Sequence, residues 1–156
     1  MATSPPSLVI VPGIYEGTEV FGPLIATLRN LGYPKIWLAG LRSTGTDSHR
    51  KPVITMDDDI ESIAGVINRA VQDAGPSAVT LLLHSAGGYL GSAAMRGLSS
   101  AARKAVGLEG GVTNIIFLSA GIAPEGFKIG PAGFMVFNVG ILNIFVFGSR
   151  TKSLSR

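Results

Sequence analysis

Ser85 is the residue best placed by its neighbours to become a nucleophile. It stands in Leu83-His84-Ser85-Ala86-Gly87-Gly88, where an apolar run over residues 78–83 meets a segment of small residues. A tight strand-to-helix turn holds its central residue in a strained conformation and projects the hydroxyl above the sheet. The Ala86 N–H then lies at a helix N-terminus, where negative charge is stabilised. Backbones approach closely in such a turn, so small neighbours are needed. Gly87 meets that need downstream, whereas Leu83 stands where a G-x-S-x-G pattern has its first glycine. The plainer alternative is that Ser85 is an ordinary helix N-cap with no chemistry attached. A second element favours the nucleophile: Pro12, Gly13, Ile14 and Tyr15, in the turn after the first apolar run, could offer another N–H to the same oxyanion. A tetrahedral intermediate uses two such donors, each contributing roughly 3 kcal/mol.

A serine of this kind needs a base, and the chain has two histidines. His84 adjoins Ser85, and neighbouring side chains leave a strand on opposite sides. It is therefore poorly placed to take the serine proton and is expected to pack beside the turn. His49 lies in a polar loop with Arg50 and Lys51, where a solvated imidazole is the default. Glu125 could imitate the acid of a triad, but an acid without a base orients nothing. Because loss of a triad base lowers the rate by orders of magnitude, the isolated chain is expected to be nearly inactive.

The elements that would position Ser85 follow from the hydrophobic pattern. Residues 7–11 form a short β-branched apolar run closed by Pro12 and Gly13, which predicts a buried strand. Phe21, Leu24, Ile25 and Leu28 recur at helical spacing, with Gly32 and Pro34 just past the end. Residues 35–38 predict a second brief strand, followed by a polar loop over residues 42–55. Ile60, Ile63, Ala64, Ile67 and Val71 make one face of a helix ended by Gly75 and Pro76. Asp57, Asp58 and Asp59 open it. Consecutive helical residues point about 100° apart and do not converge on one ion, so stabilisation of the helix N-terminus is expected in place of a metal site. Residues 78–83 read as a strand buried on both faces, residues 86–98 as a helix whose small residues let it lie close to the sheet, and residues 113–118 as one more strand. The β-α-β-α-β-α-β order predicts an α/β fold, a parallel sheet with helices on both faces.

Taken together, Val9-Ile10-Val11-Pro12-Gly13, Leu31-Gly32-Tyr33, Leu41-Arg42-Ser43-Thr44-Gly45, the helix from Asp57, the Ser85 turn, and Phe117-Leu118-Ser119-Ala120 with Pro124-Glu125-Gly126 resemble an α/β-hydrolase family. The similarity is to its salicylate-esterase and hydroxynitrile-lyase type, fungal relatives especially, and covers about residues 7–126. The resemblance implies Ser85 as the nucleophile and the backbone N–H groups of Ile14 and Ala86 as the oxyanion hole. It also implies tolerance of a bulky residue two before the serine. The family continues through a cap region, a strand ending in an acid, and a loop bearing the catalytic histidine, none of which is recognisable here. Residues 1–126 are accordingly expected to be the N-terminal half of a hydrolase domain, apparently truncated, and residues 127–156 a divergent apolar tail.

Composition narrows the classes further. With 156 residues, one domain is expected. The absence of cysteine excludes disulfides, thiolate metal sites and cysteine nucleophiles. The net charge is +3, but the cations are scattered with no aromatic-interleaved stripe, which argues against nucleic-acid binding. No secretory signal opens the chain, so a cytoplasmic location is expected. Residues 129–148 are about as long as a bilayer span of about 20 residues and are followed by Arg150, Lys152 and Arg156. They also hold a proline, four glycines and two asparagines, so membrane association is the lesser reading. A tail created by truncation or read-through of the gene fits the loss of resemblance. The expected function is serine-dependent hydrolysis of a small hydrophobic ester, without cofactor or metal. The alternatives are a catalytically silent fold that binds a small hydrophobic ligand or a partner protein, a membrane-associated truncated product, and a lyase on the same scaffold.

Overall fold

The computed structural model describes residues 5–44 and 53–123. His49, Glu125, the stretch 129–148 and the remainder of the 127–156 tail lie outside the described residues. Four strands, β1 (Ser7–Val11), β2 (Ile36–Leu38), β3 (Ala78–Ser85) and β4 (Gly111–Ala120), form one sheet in the order β2-β1-β3-β4. Every pairing is parallel. The helices are α1 (Gly22–Asn30), α2 (Met56–Ala74), α3 (Gly87–Ala94) and α4 (Ser100–Ala105), and a 3-10 turn at Thr18–Phe21 leads into α1. The expected α/β architecture is what the chain forms.

Side-chain alternation explains how the sheet carries helices on both faces. Val9 and Val11 of β1 and Val79, Leu81 and Leu83 of β3 pack with Ile63, Ile67 and Val71 of α2 and Leu90 and Ala94 of α3. Leu8, Ile10 and Leu82 point the other way, onto Phe21 and the Leu24, Ile25 and Leu28 face of α1. Strand β4 stays in phase by skipping residues. Register shifts leave Thr113 and Ser119 without a partner opposite, so Val112, Ile115 and Phe117 all reach the α2–α3 side despite their mixed spacing.

Helix ends follow local chemistry. After α1, Gly32 takes φ +90 and donates to Arg29 O, while Tyr33 N–H returns to Leu28 O, a Schellman closure that needs glycine at the left-handed position. The expected helix over 86–98 is shorter: Gly97 turns at φ +76, and Ser99 caps a separate α4 by accepting the Ala102 N–H at 3.1 Å.

Helix α2 starts one residue before the acidic run. The Thr55 side chain accepts the Asp58 N–H at 3.3 Å, and the Asp58 carboxylate accepts the Thr55 N–H at 2.8 Å, a reciprocal capping box. Asp59, only 3% exposed, accepts both the N–H and the hydroxyl of Ser43, which ties the loop after β2 to α2. Asp58 and Asp59 thus face different partners, and among the described residues no cluster of three or more acidic, histidine or cysteine side chains that could hold a metal ion is found. The Thr55 N–H, then the Thr55 hydroxyl, hold the Asp58 carboxyl below its ordinary value of 3.8, against a small desolvation effect and with help from Arg42. A carboxyl lowered on folding stabilises the protein above its unfolded pKa, and that contribution fades as pH falls through the folded value. Thr55→Ala should cost about 1 kcal/mol at neutral pH. Its loss of stability relative to wild type should shrink in melts taken below pH 3.8.

Candidate active site at the sheet switch point

Strand β1 leads outward to β2, and the chain then crosses back to β3 on the other side of β1. The carboxyl ends of β1 and β3 therefore flank the crevice where open α/β sheets bind ligands. Ser85 ends β3 at that crevice, exposed, with φ +52. A non-glycine residue at positive φ costs on the order of 1–3 kcal/mol and persists where its surroundings enforce it. Two other non-glycine residues share this strain, Tyr15 after β1 (φ +66) and Ser119 near the end of β4 (φ +46). All three lie at the carboxyl edge of the sheet.

What enforces the turn at Ser85 is the crowding of small residues around it. A Cβ on Gly87 would lie 2.7 Å from Val11 O and closer still to the Pro12 carbonyl oxygen, and one on Gly88 would overlap the backbone of Gly121. On the far side, Gly121 N–H donates to Ser85 O at 2.9 Å. Helix α3 is capped by Ala86 with no side-chain hydrogen bond, so Ser85 does not act as its N-cap. Leu83 occupies no space the turn requires: it is fully buried, and its side chain fills the gap left by Gly91, whose Cβ would sit 2.5 Å from Leu83 Cδ2.

The turn after β1 lies directly against the serine. The position of a Gly13 Cβ is 2.6 Å from Ser85 Cβ and 2.9 Å from Ser85 Oγ. Glycine at 13 is thus what lets the two segments meet. Ile14, next in the chain, and Ala86 are both half-buried, and among the described residues neither of their N–H groups has a protein acceptor.

The structure adds one residue that sequence reasoning missed. Glu16, two residues past Ile14, accepts the Gly13 N–H at 2.5 Å, and His84 Nδ1 lies 2.8 Å from both of its carboxylate oxygens. An ionised carboxylate only accepts, so His84 Nδ1 carries the hydrogen. Burial raises the Glu16 pKa, but the His84 hydrogen bond, the Gly13 N–H and the His84 charge outweigh it and leave the carboxyl below 4.5. The His84 ring also meets Phe21 edge-on, with centroids 6.0 Å apart. His84 is therefore committed to Glu16 and to the α1 side of the sheet. It makes no hydrogen bond to Ser85 among the described residues.

Comparison with protein-family models, with curated proteins and with solved structures finds no match to this chain. Among the described residues, no helix is long and apolar enough to cross a membrane.

Proposed function

We propose that this chain carries the nucleophile half of an α/β-hydrolase-type serine site. Ser85 is the nucleophile toward a small hydrophobic ester, and the Ile14 and Ala86 N–H groups receive the oxyanion. The observation that carries the reading is the exposed, positive-φ Ser85 at the end of a central strand, pressed against the turn that bears Ile14. In this scheme Ser85 Oγ attacks the ester carbonyl carbon and gives up its proton to solvent water, and the negative charge that develops on the carbonyl oxygen is met by two backbone dipoles at a helix start and a turn. Collapse breaks the ester C–O bond and expels the alcohol, which takes a proton from water, and a second water hydrolyses the acyl-serine to the acid and free Ser85. Proton removal from Ser85 is the weak step. The imidazole among the described residues is held by Glu16, so the chain is slow on its own.

That commitment of His84 also favours a second reading, a silent α/β fold that binds a small apolar ligand in the same crevice without turnover. A fluorophosphonate probe separates the two. On the first reading, prolonged incubation of the full chain gives a single adduct by mass spectrometry, on Ser85, and none in Ser85→Ala. An unlabelled wild-type chain, or an adduct retained in Ser85→Ala, rejects it, and saturable ligand binding that survives Ser85→Ala then supports the second.

A further inference from the structure

We propose that Glu16 is a positioning residue: its carboxylate clamps the turn after β1 to the end of β3 and so holds the Ile14 N–H beside Ser85. This rests on the hydrolase reading for its purpose, but the clamp itself is a matter of geometry. Residues 13–16 form a closed turn, with Glu16 N–H donating to Gly13 O at 3.3 Å. Inside it, Tyr15 adopts φ +66 and is 89% exposed. A strained residue that packs against nothing must be held by its neighbours. The holding groups are polar. The Glu16 carboxylate takes the Gly13 N–H from within the turn and the His84 Nδ1–H from across the crevice, and Oε2 and Ser85 Oγ lie 3.1 and 2.9 Å from the same point, the position of a Gly13 Cβ. Because the Gly13 N–H is consumed by Glu16, it is not a donor to substrate, and Ile14 is the next N–H in the turn. His84, at the position before Ser85, thus has a defined task. It is the anchor on β3, which explains an imidazole facing the α1 side and not the hydroxyl.

Charge-assisted hydrogen bonds of this kind correspond to roughly ten- to a hundredfold in an equilibrium constant. The test uses the full chain, labelled with 15N. In wild type, long-range imidazole correlations should show a hydrogen on His84 Nδ1, and the Gly13 amide should be protected from exchange. In Glu16→Ala the Nδ1–H signature should disappear, Gly13 exchange should accelerate by roughly ten- to a hundredfold, and the fluorophosphonate rate at Ser85 should fall about tenfold or more. Amides of the α2 core, such as Ile67, should be unchanged. Glu16→Gln keeps an acceptor for Gly13 without the charge and should restore part of the Gly13 protection. Unchanged Gly13 exchange in Glu16→Ala overturns the clamp. Faster exchange with an undiminished Ser85 labelling rate overturns its positioning role. A wild type that never labels, with Gly13 protection still dependent on Glu16, keeps the clamp and rejects the hydrolase reading it serves.

Discussion

Gly87→Ala should destabilise the protein by about 2–3 kcal/mol and disturb the site at the same time. Its added methyl meets the carbonyl oxygens of Val11 and Pro12, which belong to a buried strand end and cannot rotate aside as a side chain would. The helical preference of alanine over glycine, up to about 1 kcal/mol, offsets only part of this. Relief requires the Pro12–Gly13 segment to move away from Ser85, so fluorophosphonate labelling should drop together with the melting temperature. Gly65→Ala is the matching control. Its Cβ would meet only Arg69 Nη1 at an ordinary 3.6 Å in the middle of α2, and it should raise stability slightly. Equal destabilisation by the two changes would show that crowding at the turn is not what matters.

Leu83→Ala is expected to cost about 3 kcal/mol, lowering the melting temperature by on the order of 10 °C. Leu83 is fully buried and touches the core shared by β1, α2 and α3. Since its Cδ2 occupies the space beside Gly91, Leu83→Ala should also make Gly91→Ala harmless, and a double-mutant cycle should show a coupling of about 1 kcal/mol or more. Additive effects would mean that the two positions do not share one volume.

The Leu83–Gly91 pair shows how far local motif reading reaches. Judged against G-x-S-x-G, Leu83 stands where the first glycine belongs. The physical need is for room between β3 and α3, and here the glycine providing it stands on the helix. The strands and the α2 face were legible because burial imposes a period on the chain, and residues 7–11 coincide with β1. Strand β4 extends beyond the expected 113–118 because bulges at Thr113 and Ser119 break the alternation from which strand ends are judged. Thr55 followed three residues later by Asp58 is a readable cap just ahead of an apolar periodicity, masked only by its place at the end of the polar loop. Glu16 offered no such signal. Its partner lies 68 residues away, and nothing near Glu16 distinguishes it from a solvated acid.

That separation has a kinetic consequence. Local helices close within microseconds, whereas pairing parallel strands brings together distant segments and must first overcome the entropy of the loop between them. The crevice is assembled from residues near 13, 85 and 121, so none of it exists until β1, β3 and β4 have found one another. A nascent chain can therefore own a well-formed α2 long before it owns a reactive hydroxyl. During refolding, probe reactivity at Ser85 should trail helical circular dichroism.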